Sequence, residues 1–252
     1  MDRKISDWGG NIVALVLVIV VNGLANVLRF GGQTTGEVSD KYYSMFTPAG
    51  FTFAIWSLIY LLLALFTVYQ SLPAQRSNEQ LARISLWFKA GCGANVLWMF
   101  AWHLEWIGVS LVLMIVLIVS LVRIYRVLDI VDPAAPAGQR WLVQLPFSVY
   151  LGWISVATIA NISAMQSALG WNYAVLEEVS WTLLKLAVAG SLGAIVTLRR
   201  HDVAYGLVIG WAAFGIGAGQ AATPAVAGAA FTLSLVILAI AAFEALNRVT
   251  AR

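Results

Sequence analysis

The residue types that most often carry catalytic chemistry are few in this sequence and lie far apart. The 252 residues include two histidines, His103 and His201, and one cysteine, Cys92. His103 could ligate a haem iron, but no second ligand motif accompanies it. The sequence contains no zinc-protease, phosphate-loop or dinucleotide-binding motif. We therefore expect no catalytic residue, no metal site and no required cofactor, and the chemistry leans away from an enzyme.

Tryptophan is the residue type that stands out, with eleven copies. Several lie near the ends of apolar runs, where membrane proteins place an aromatic belt. Trp56, Trp98 and Trp153 lie deeper within their runs. Phe53, Trp56 and Tyr60 are spaced by three and then four residues, which places them on one face of a helix. Such a face either packs between helices or lines an aromatic cleft for a flat ligand, and both interpretations stay open.

Polar residues also occur inside the apolar runs, where they are costly in lipid and usually face the interior of a bundle. Asn22 lies in the first run, Asn95 precedes Trp98 by three residues, and Asn161 lies in the fifth run. Hydrogen bonds between helices would explain each of them. Lys185, in the sixth run, either extends its ammonium group toward the membrane surface or pairs with an anionic group.

The elements that must position these residues are transmembrane helices. The chain is 61% hydrophobic and 11% charged, against about 25% charged in soluble domains. Its apolar residues come in continuous runs of about 20, the length of a helix that crosses a bilayer. The predicted fold class is an all-α membrane protein with a bundle of about eight transmembrane helices. The partners expected are the lipid bilayer and a small hydrophobic ligand, without nucleic acid, and a homodimer is left open.

Eight spans are predicted, at residues 10–28, 48–70, 85–103, 106–123, 142–165, 178–198, 204–220 and 225–246. The first is interpreted as a retained span and not as a cleaved signal peptide, because it is too long for one. The divisions at 103–105 and 221–224 are the least distinct. The connection at about 29–47 is long and polar, so it is a candidate to cover the mouth of a cavity.

The basic residues distribute unevenly over the two sides of this arrangement. One set of helix ends carries eleven of the fifteen Lys and Arg residues and the other carries Arg29 and Lys41, with Lys89 and Lys185 inside spans. Basic residues accumulate on the cytoplasmic side of membrane proteins. The pattern predicts a multi-pass protein of the inner (cell) membrane with both termini in the cytoplasm.

Three segments resemble motifs of the TspO/translocator-protein (TspO/MBR) family, also called tryptophan-rich sensory proteins. Residues 42–51, followed by Trp-Ser-Leu-Ile-Tyr at 56–60, resemble the loop and second helix of that family. Ala-Asn-Val-Leu-Trp at 94–98 is similar to its L-N-x-x-W motif. Residues 150–161 are similar to its Y-L-x-W-x-S-x-A-T-x-L-N motif. The order of the three motifs matches as well, which makes the resemblance specific.

The resemblance covers about residues 10–166 and implies a division of the chain into a TspO-like five-helix region, 1–166, and three additional transmembrane helices, 167–252. It implies a cleft, capped by the first loop, for flat hydrophobic ligands such as a porphyrin or haem-related molecule. Phe46 and Phe51 stand where the family often has Trp, which changes the mouth of that cleft. The ligand-binding residues expected by position are Phe51, Trp56, Tyr60, Asn95, Trp98, Trp153 and Asn161.

Three functions follow as hypotheses from the resemblance and the residues together. The leading one is a membrane-embedded sensor or binding protein for flat hydrophobic ligands. A small-molecule transporter that uses all eight helices is the second, motivated by the three C-terminal spans and Lys185. A tetrapyrrole-modifying enzyme is the third, and no acid–base pair or metal cluster within the spans supports it.

Overall fold

The computed structural model describes residues 3–132, 135–171 and 176–250, and in these ranges all regular elements are helical. Eight of the helices have 17 residues or more, which confirms the predicted all-α membrane fold. They are α1 Ile5–Leu28, α2 Ile55–Ser71, α3 Glu79–His103, α4 Ile107–Val127, α5 Leu145–Ala168, α6 Glu178–Arg200, α7 Val203–Gly219 and α8 Pro224–Thr250.

Length and composition suit most of these helices to a bilayer. Six stretches of the described chain are long and apolar enough to cross a membrane, and they contain α1, α2, α4, α5, α6 and α8. A helix of about 20 residues rises about 30 Å, which matches the hydrocarbon thickness. The seventh helix is apolar but has 17 residues. The third has the length but carries Lys89 and Asn95. The chain is a multi-pass membrane protein.

The structure confirms the two least distinct divisions and moves the start of one helix. A short turn separates α3 from α4, and α8 begins at Pro224, since proline fits the first turn of a helix. The second helix was expected from residue 48, but a 3₁₀ turn, Gly50–Ala54, precedes Ile55. Phe53 therefore lies before the α-helix. Of the three aromatic residues, only Trp56 and Tyr60 are separated by a turn of that helix. The connection after α1 contains a further short helix, Thr35–Lys41.

The chain divides into two compact units, and the first comprises Met1–Val38 and Trp56–Leu151. In this unit α1 packs against α3, and α3 packs against α4. Three buried rings from α2, α3 and α5 form its aromatic core, with Phe66 4.9 Å from Phe147 and 5.3 Å from Phe88 between ring centroids. Edge-to-face packing of this kind contributes beyond the apolar area that it buries.

A buried polar network ties the start of the first unit to the end of α2. The guanidinium of Arg3 donates to Gln70 Oε1 at 2.7 Å and to the Gln70 carbonyl at 2.9 Å, and it pairs with Asp7 at 3.1 Å. Gln70 Nε2 donates to the Trp8 carbonyl, and Asn11 Nδ2 donates to Gln70 Oε1. Both the oxygen and the NH₂ group of the Gln70 amide are thus hydrogen-bonded. Buried polar groups that water cannot reach require such partners.

The second unit comprises Ser39–Ile55 and Gly152–Arg252. Within it α7 packs against α6, α8 and the 3₁₀ turn Gly50–Ala54. The turn is fixed by the Ala49 amide, which donates to the Gly215 carbonyl at 2.9 Å, and by Trp211 Nε1, which donates to the Thr52 carbonyl at 3.0 Å. A Cβ at Gly215 would collide with the buried Thr52 side chain. Glycine at 215 therefore permits the close approach on which both hydrogen bonds depend.

Candidate functional site

An aromatic–amide cluster lies in the first unit, formed by Asn22, Trp56, Tyr60, Asn95 and Tyr150. Asn22 Nδ2 donates to Asn95 Oδ1 at 2.9 Å, and Asn95 Nδ2 donates to the Tyr150 hydroxyl at 3.2 Å. The Tyr150 ring meets the Trp56 ring edge-on at 6.1 Å, and Trp56 stacks on Tyr60 at 5.5 Å. Four helices, α1, α2, α3 and α5, thus meet through one chain of contacts.

A stacked indole pair lies one helical turn beyond Asn95 on α3. The rings of Trp98 and Trp102 are 5.4 Å apart and inclined by 16°. Trp102 is 5% exposed and Trp98 is partly exposed, so Trp98 forms the accessible side of the pair. The Trp98 Nε1 atom is itself buried, and it has no hydrogen-bond partner in the part of the chain that the structure describes. A buried N–H group without an acceptor is unfavourable, so a small shift that brings an acceptor to this atom would stabilise it.

The connection that follows α1 covers the end of α3 that carries this pair. Trp102 Nε1 donates to the Thr35 carbonyl at 3.1 Å, and Gln33 Nε2 donates to Glu105 at 2.7 Å. Gly31 has a φ of +67°, and a Cβ there would collide with the His103 carbonyl. Glycine supplies this backbone conformation without strain. The connection therefore lies directly over the end of α3.

His103 is buried beneath this connection. Its Nδ1 atom lies 2.8 Å from the Met99 carbonyl, which can only accept, so Nδ1 carries the proton. Its Nε2 atom faces the Thr35 hydroxyl at 3.5 Å, and the Phe30 ring closes the space at 6.0 Å. Both ring nitrogens thus face protein groups.

The residues expected to bind ligand are distributed over the two units. Trp56, Tyr60 and Asn95 belong to the cluster of the first unit, and Trp98 follows Asn95 by three residues. In the second unit Phe51 contacts the rings of Trp211 at 5.6 Å and Phe214 at 6.1 Å. Trp153 is buried and meets Phe53 edge-on at 5.9 Å, and Asn161 is buried on α5.

The comparison with protein families accords with these motifs. Residues 7–243 match the family model described as TSPO-like protein. The chain belongs to the TSPO-like protein family. The match confirms the resemblance that the three motifs carry, and it ends within α8. Neither a curated protein nor a solved structure matches the chain.

The TSPO-like chain contains site residues that the sequence analysis did not select. Tyr150 begins the third motif and joins Asn95 to Trp56, a role that only the packing of α3 against α5 reveals. Trp102 follows Trp98 by four residues, and that spacing alone indicates that the two rings share a face. The sequence alone could therefore have indicated Trp102 as a neighbour of Trp98. No local pattern indicates that His103 is buried.

Two observations bound the chemistry of the TSPO-like chain. Among the described residues, no three His, Cys, Asp or Glu side chains lie close enough to hold a metal ion. A cleft of about 510 Å³ is present in the first unit, but residues 3–7 and 77–89 line it, near the N-terminal end of α3. The indole pair lies toward the C-terminal end of that helix. The cleft is therefore a separate feature from the aromatic–amide cluster.

A half-exposed ion pair lies within the connection that covers the indole pair. The Arg29 guanidinium hydrogen-bonds to Glu37, and the Thr34 amide donates to the same carboxylate at 2.7 Å. The hydrogen bond from Arg29, and then the one from Thr34, hold the pKa of Glu37 below its ordinary value of 4.5. Both bonds favour the charged form of the carboxylate.

Acidification is expected to loosen this connection. Because the pKa of Glu37 is lowered in the folded protein, its contribution to stability is fully present above pH 4.5 and is lost as the pH falls through the lowered value. Hydrogen–deuterium exchange of residues 33–38, corrected for intrinsic rates, should accelerate as the pH falls below 4.5. Glu37→Gln should remove this pH dependence, and Asp40→Asn should retain it. Equal protection of the wild type at pH 6 and at the lowest pH at which the protein stays folded would contradict the assignment.

Proposed function

We propose that this TSPO-like protein is a membrane-embedded sensor or binding protein for flat hydrophobic ligands, of which porphyrins and haem-related molecules are the best candidates. We place it in the inner membrane with both termini in the cytoplasm, since eleven basic residues lie at one set of helix ends. The covered end of α3 then faces the outer side. The distribution of charge supports this orientation, and the family supports the class of protein.

The observation that carries the proposal is the buried, unpartnered Nε1 atom of Trp98 in a stacked indole pair. The pair offers a flat, rigid apolar face, on which a planar ring system stacks at small cost in side-chain entropy. The indole N–H offers one hydrogen bond at the edge of that face. A ligand that fits both features has a broad π surface and an acceptor on its rim.

A porphyrin with carboxylate substituents has this combination. Its macrocycle stacks on Trp98, and a carboxylate accepts from Nε1 in a charge-assisted hydrogen bond. Sterols offer an apolar body and a hydroxyl but no π face. The proposal therefore ranks carboxylated tetrapyrroles above sterols.

The remaining residues have different roles in this proposal. Asn95 uses its amide to join Asn22 and Tyr150, so it positions α3 and does not need to contact the ligand. Trp56 and Tyr60 extend the aromatic lining along α2. Phe51, Trp153 and Asn161 belong to the proposal because their motifs match those of the family.

The test is the quenching of tryptophan fluorescence in the purified full-length protein by protoporphyrin, a sterol and a carotenoid. Saturable quenching is expected with protoporphyrin, and weaker or no saturation with the sterol. The absence of saturable quenching by any of the three would overturn the proposal. Ligand flux into vesicles that contain the protein distinguishes transport from binding alone. Flux that is lost in Lys185→Met would favour the transporter hypothesis.

A further inference from the structure

The cleft near the N-terminal end of α3 has a composition suited to a ligand. Its volume is about 510 Å³, and its lining comes from residues before and at the start of α1, from the two residues before α3 and from the first three turns of α3. The residues that line it are Arg3, Lys4, Ser6, Asp7, Ser77, Asn78, Glu79, Ala82, Arg83, Ser85, Leu86 and Lys89. On the proposed topology this end of the bundle is cytoplasmic.

The charges in the cleft leave two cations in excess. The lining contains four basic and two acidic side chains. Arg3 pairs with Asp7 at 3.1 Å, and Arg83 lies 3.8 Å from Glu79. Lys4 and Lys89 have no carboxylate partner within the described residues. The cleft is therefore a net attractor of anions.

Lys89 is held in a specific position within this cleft. It lies about ten residues after the start of α3, so its backbone is nearly three helical turns away from the N-terminal end of that helix. Its side chain runs along α1, where a Cβ on Gly10 would lie 3.4 Å from Lys89 Cδ. Its Nζ atom donates to the Ser6 carbonyl at 3.1 Å. An ammonium group has three N–H donors, so two remain for a ligand in the cleft.

The uncharged residues that line the cleft favour a lipid over a free anion as its ligand. Ser6 and Ser77 offer hydroxyl groups that hydrogen-bond a polyol, whereas the Asn78 amide already accepts from the Leu81 amide and donates to Gln75. Ala82 and Leu86 are spaced by four residues and Lys89 follows by three, so all lie on one face of α3. Leu86 is 68% exposed. An apolar strip beside a cationic cleft matches an acyl chain beside a phosphodiester.

We propose that this cleft binds a phosphate group, in the form of the headgroup of an anionic membrane lipid such as phosphatidylglycerol. The phosphate lies between the ammonium groups of Lys4 and Lys89, and the glycerol hydroxyls face Ser6 and Ser77. The first acyl chain follows Leu86 toward the bilayer. Basic pockets between helices on the cytoplasmic side recognise lipid headgroups by the same electrostatics.

The test is native mass spectrometry of the full-length protein with phosphatidylglycerol and with phosphatidylcholine. One phosphatidylglycerol should bind with a saturable affinity that phosphatidylcholine does not match. Each Lys or Arg that lies beside the anionic headgroup contributes about fivefold to such binding. The Lys4→Gln/Lys89→Gln double variant should therefore bind about 25-fold more weakly, and Lys89→Arg should retain binding. Arg126→Gln, which removes a charge outside the cleft, should leave the affinity unchanged.

Competition identifies the source of the phosphate. Failure of inorganic phosphate and glycerol phosphate at millimolar concentration to displace the lipid would support the lipid form. Displacement by either would overturn the lipid form and leave a soluble phosphate as the ligand. Equal binding of both lipids, or equal weakening in Arg126→Gln and the double variant, would overturn the site altogether. Unchanged elution and thermal stability in phosphatidylcholine nanodiscs establish that the variants are folded.

Discussion

Replacement of Trp98 with alanine is expected to weaken protoporphyrin binding by about thirtyfold or more. The substitution removes the accessible ring of the stacked indole pair and its N–H donor together. Truncation of a central aromatic contact in a binding site costs about 2 kcal/mol or more, which corresponds to this change in affinity. The measurement is a fluorescence titration or a calorimetric titration of the purified protein.

The phenylalanine variant separates the ring from its hydrogen bond. Trp98→Phe keeps an aromatic face but has no N–H, so the affinity should fall by roughly fivefold, the value of about one hydrogen bond. Trp141→Ala removes a 65% exposed indole that precedes α5 and serves as the matched control. If Trp98→Ala binds protoporphyrin as tightly as Trp141→Ala does, the indole pair is not the site.

Replacement of Gln70 with leucine is expected to lower the free energy of unfolding by about 3 kcal/mol. Gln70 is fully buried, and its amide serves Arg3, Asn11 and the Trp8 carbonyl. Leucine has a similar volume but leaves a buried charged donor, a buried amide and a carbonyl without these partners. The loss is largest at Arg3, because a buried charge that loses a partner costs more than a neutral group. Unfolding of the full-length protein in mixed micelles measures the change.

Gln139→Leu provides the comparison for this prediction. Gln139 is partly exposed, and its amide donates to Gln80 at 2.7 Å. Water can replace that partner, so the expected loss is below about 1 kcal/mol. Similar losses in the two variants would mean that the network around Gln70 contributes little to the stability of the first unit.

The sequence predicts the helices well because the bilayer imposes their length. A continuous apolar run of about 20 residues has few alternatives to a spanning helix. Local residue preferences also identify some helix boundaries. Pro224 begins α8, and proline is favoured in the first turn of a helix. The span predicted at 48–70 corresponds to the apolar stretch Gly50–Ser71, but its first turn is a 3₁₀ turn that the bond between Ala49 and Gly215 fixes. That bond joins residues 166 positions apart, and no local pattern contains it.

The sequence identifies only some residues of the candidate site, because the contacts that join them come from residues far apart in the chain. Trp56, Tyr60 and Asn95 were selected from helical spacing and motifs, and the structure brings them together. The residue that joins them, Tyr150, comes from a different helix. The network around Gln70 links residues 67 positions apart, since Arg3 precedes α1 and Gln70 lies near the end of α2. Long-range pairs of this kind depend on packing, which the sequence pattern does not specify.

Photo-crosslinking tests the central claim most directly. A porphyrin carboxylic acid that carries a diazirine group would be activated on the full-length protein in nanodiscs, and the labelled peptides identified by mass spectrometry. The account predicts labelling of residues 91–103 of α3, with Trp98 at the centre, that excess protoporphyrin abolishes. Saturable labelling confined to other parts of the chain, or labelling of 91–103 that excess protoporphyrin does not reduce, would contradict it.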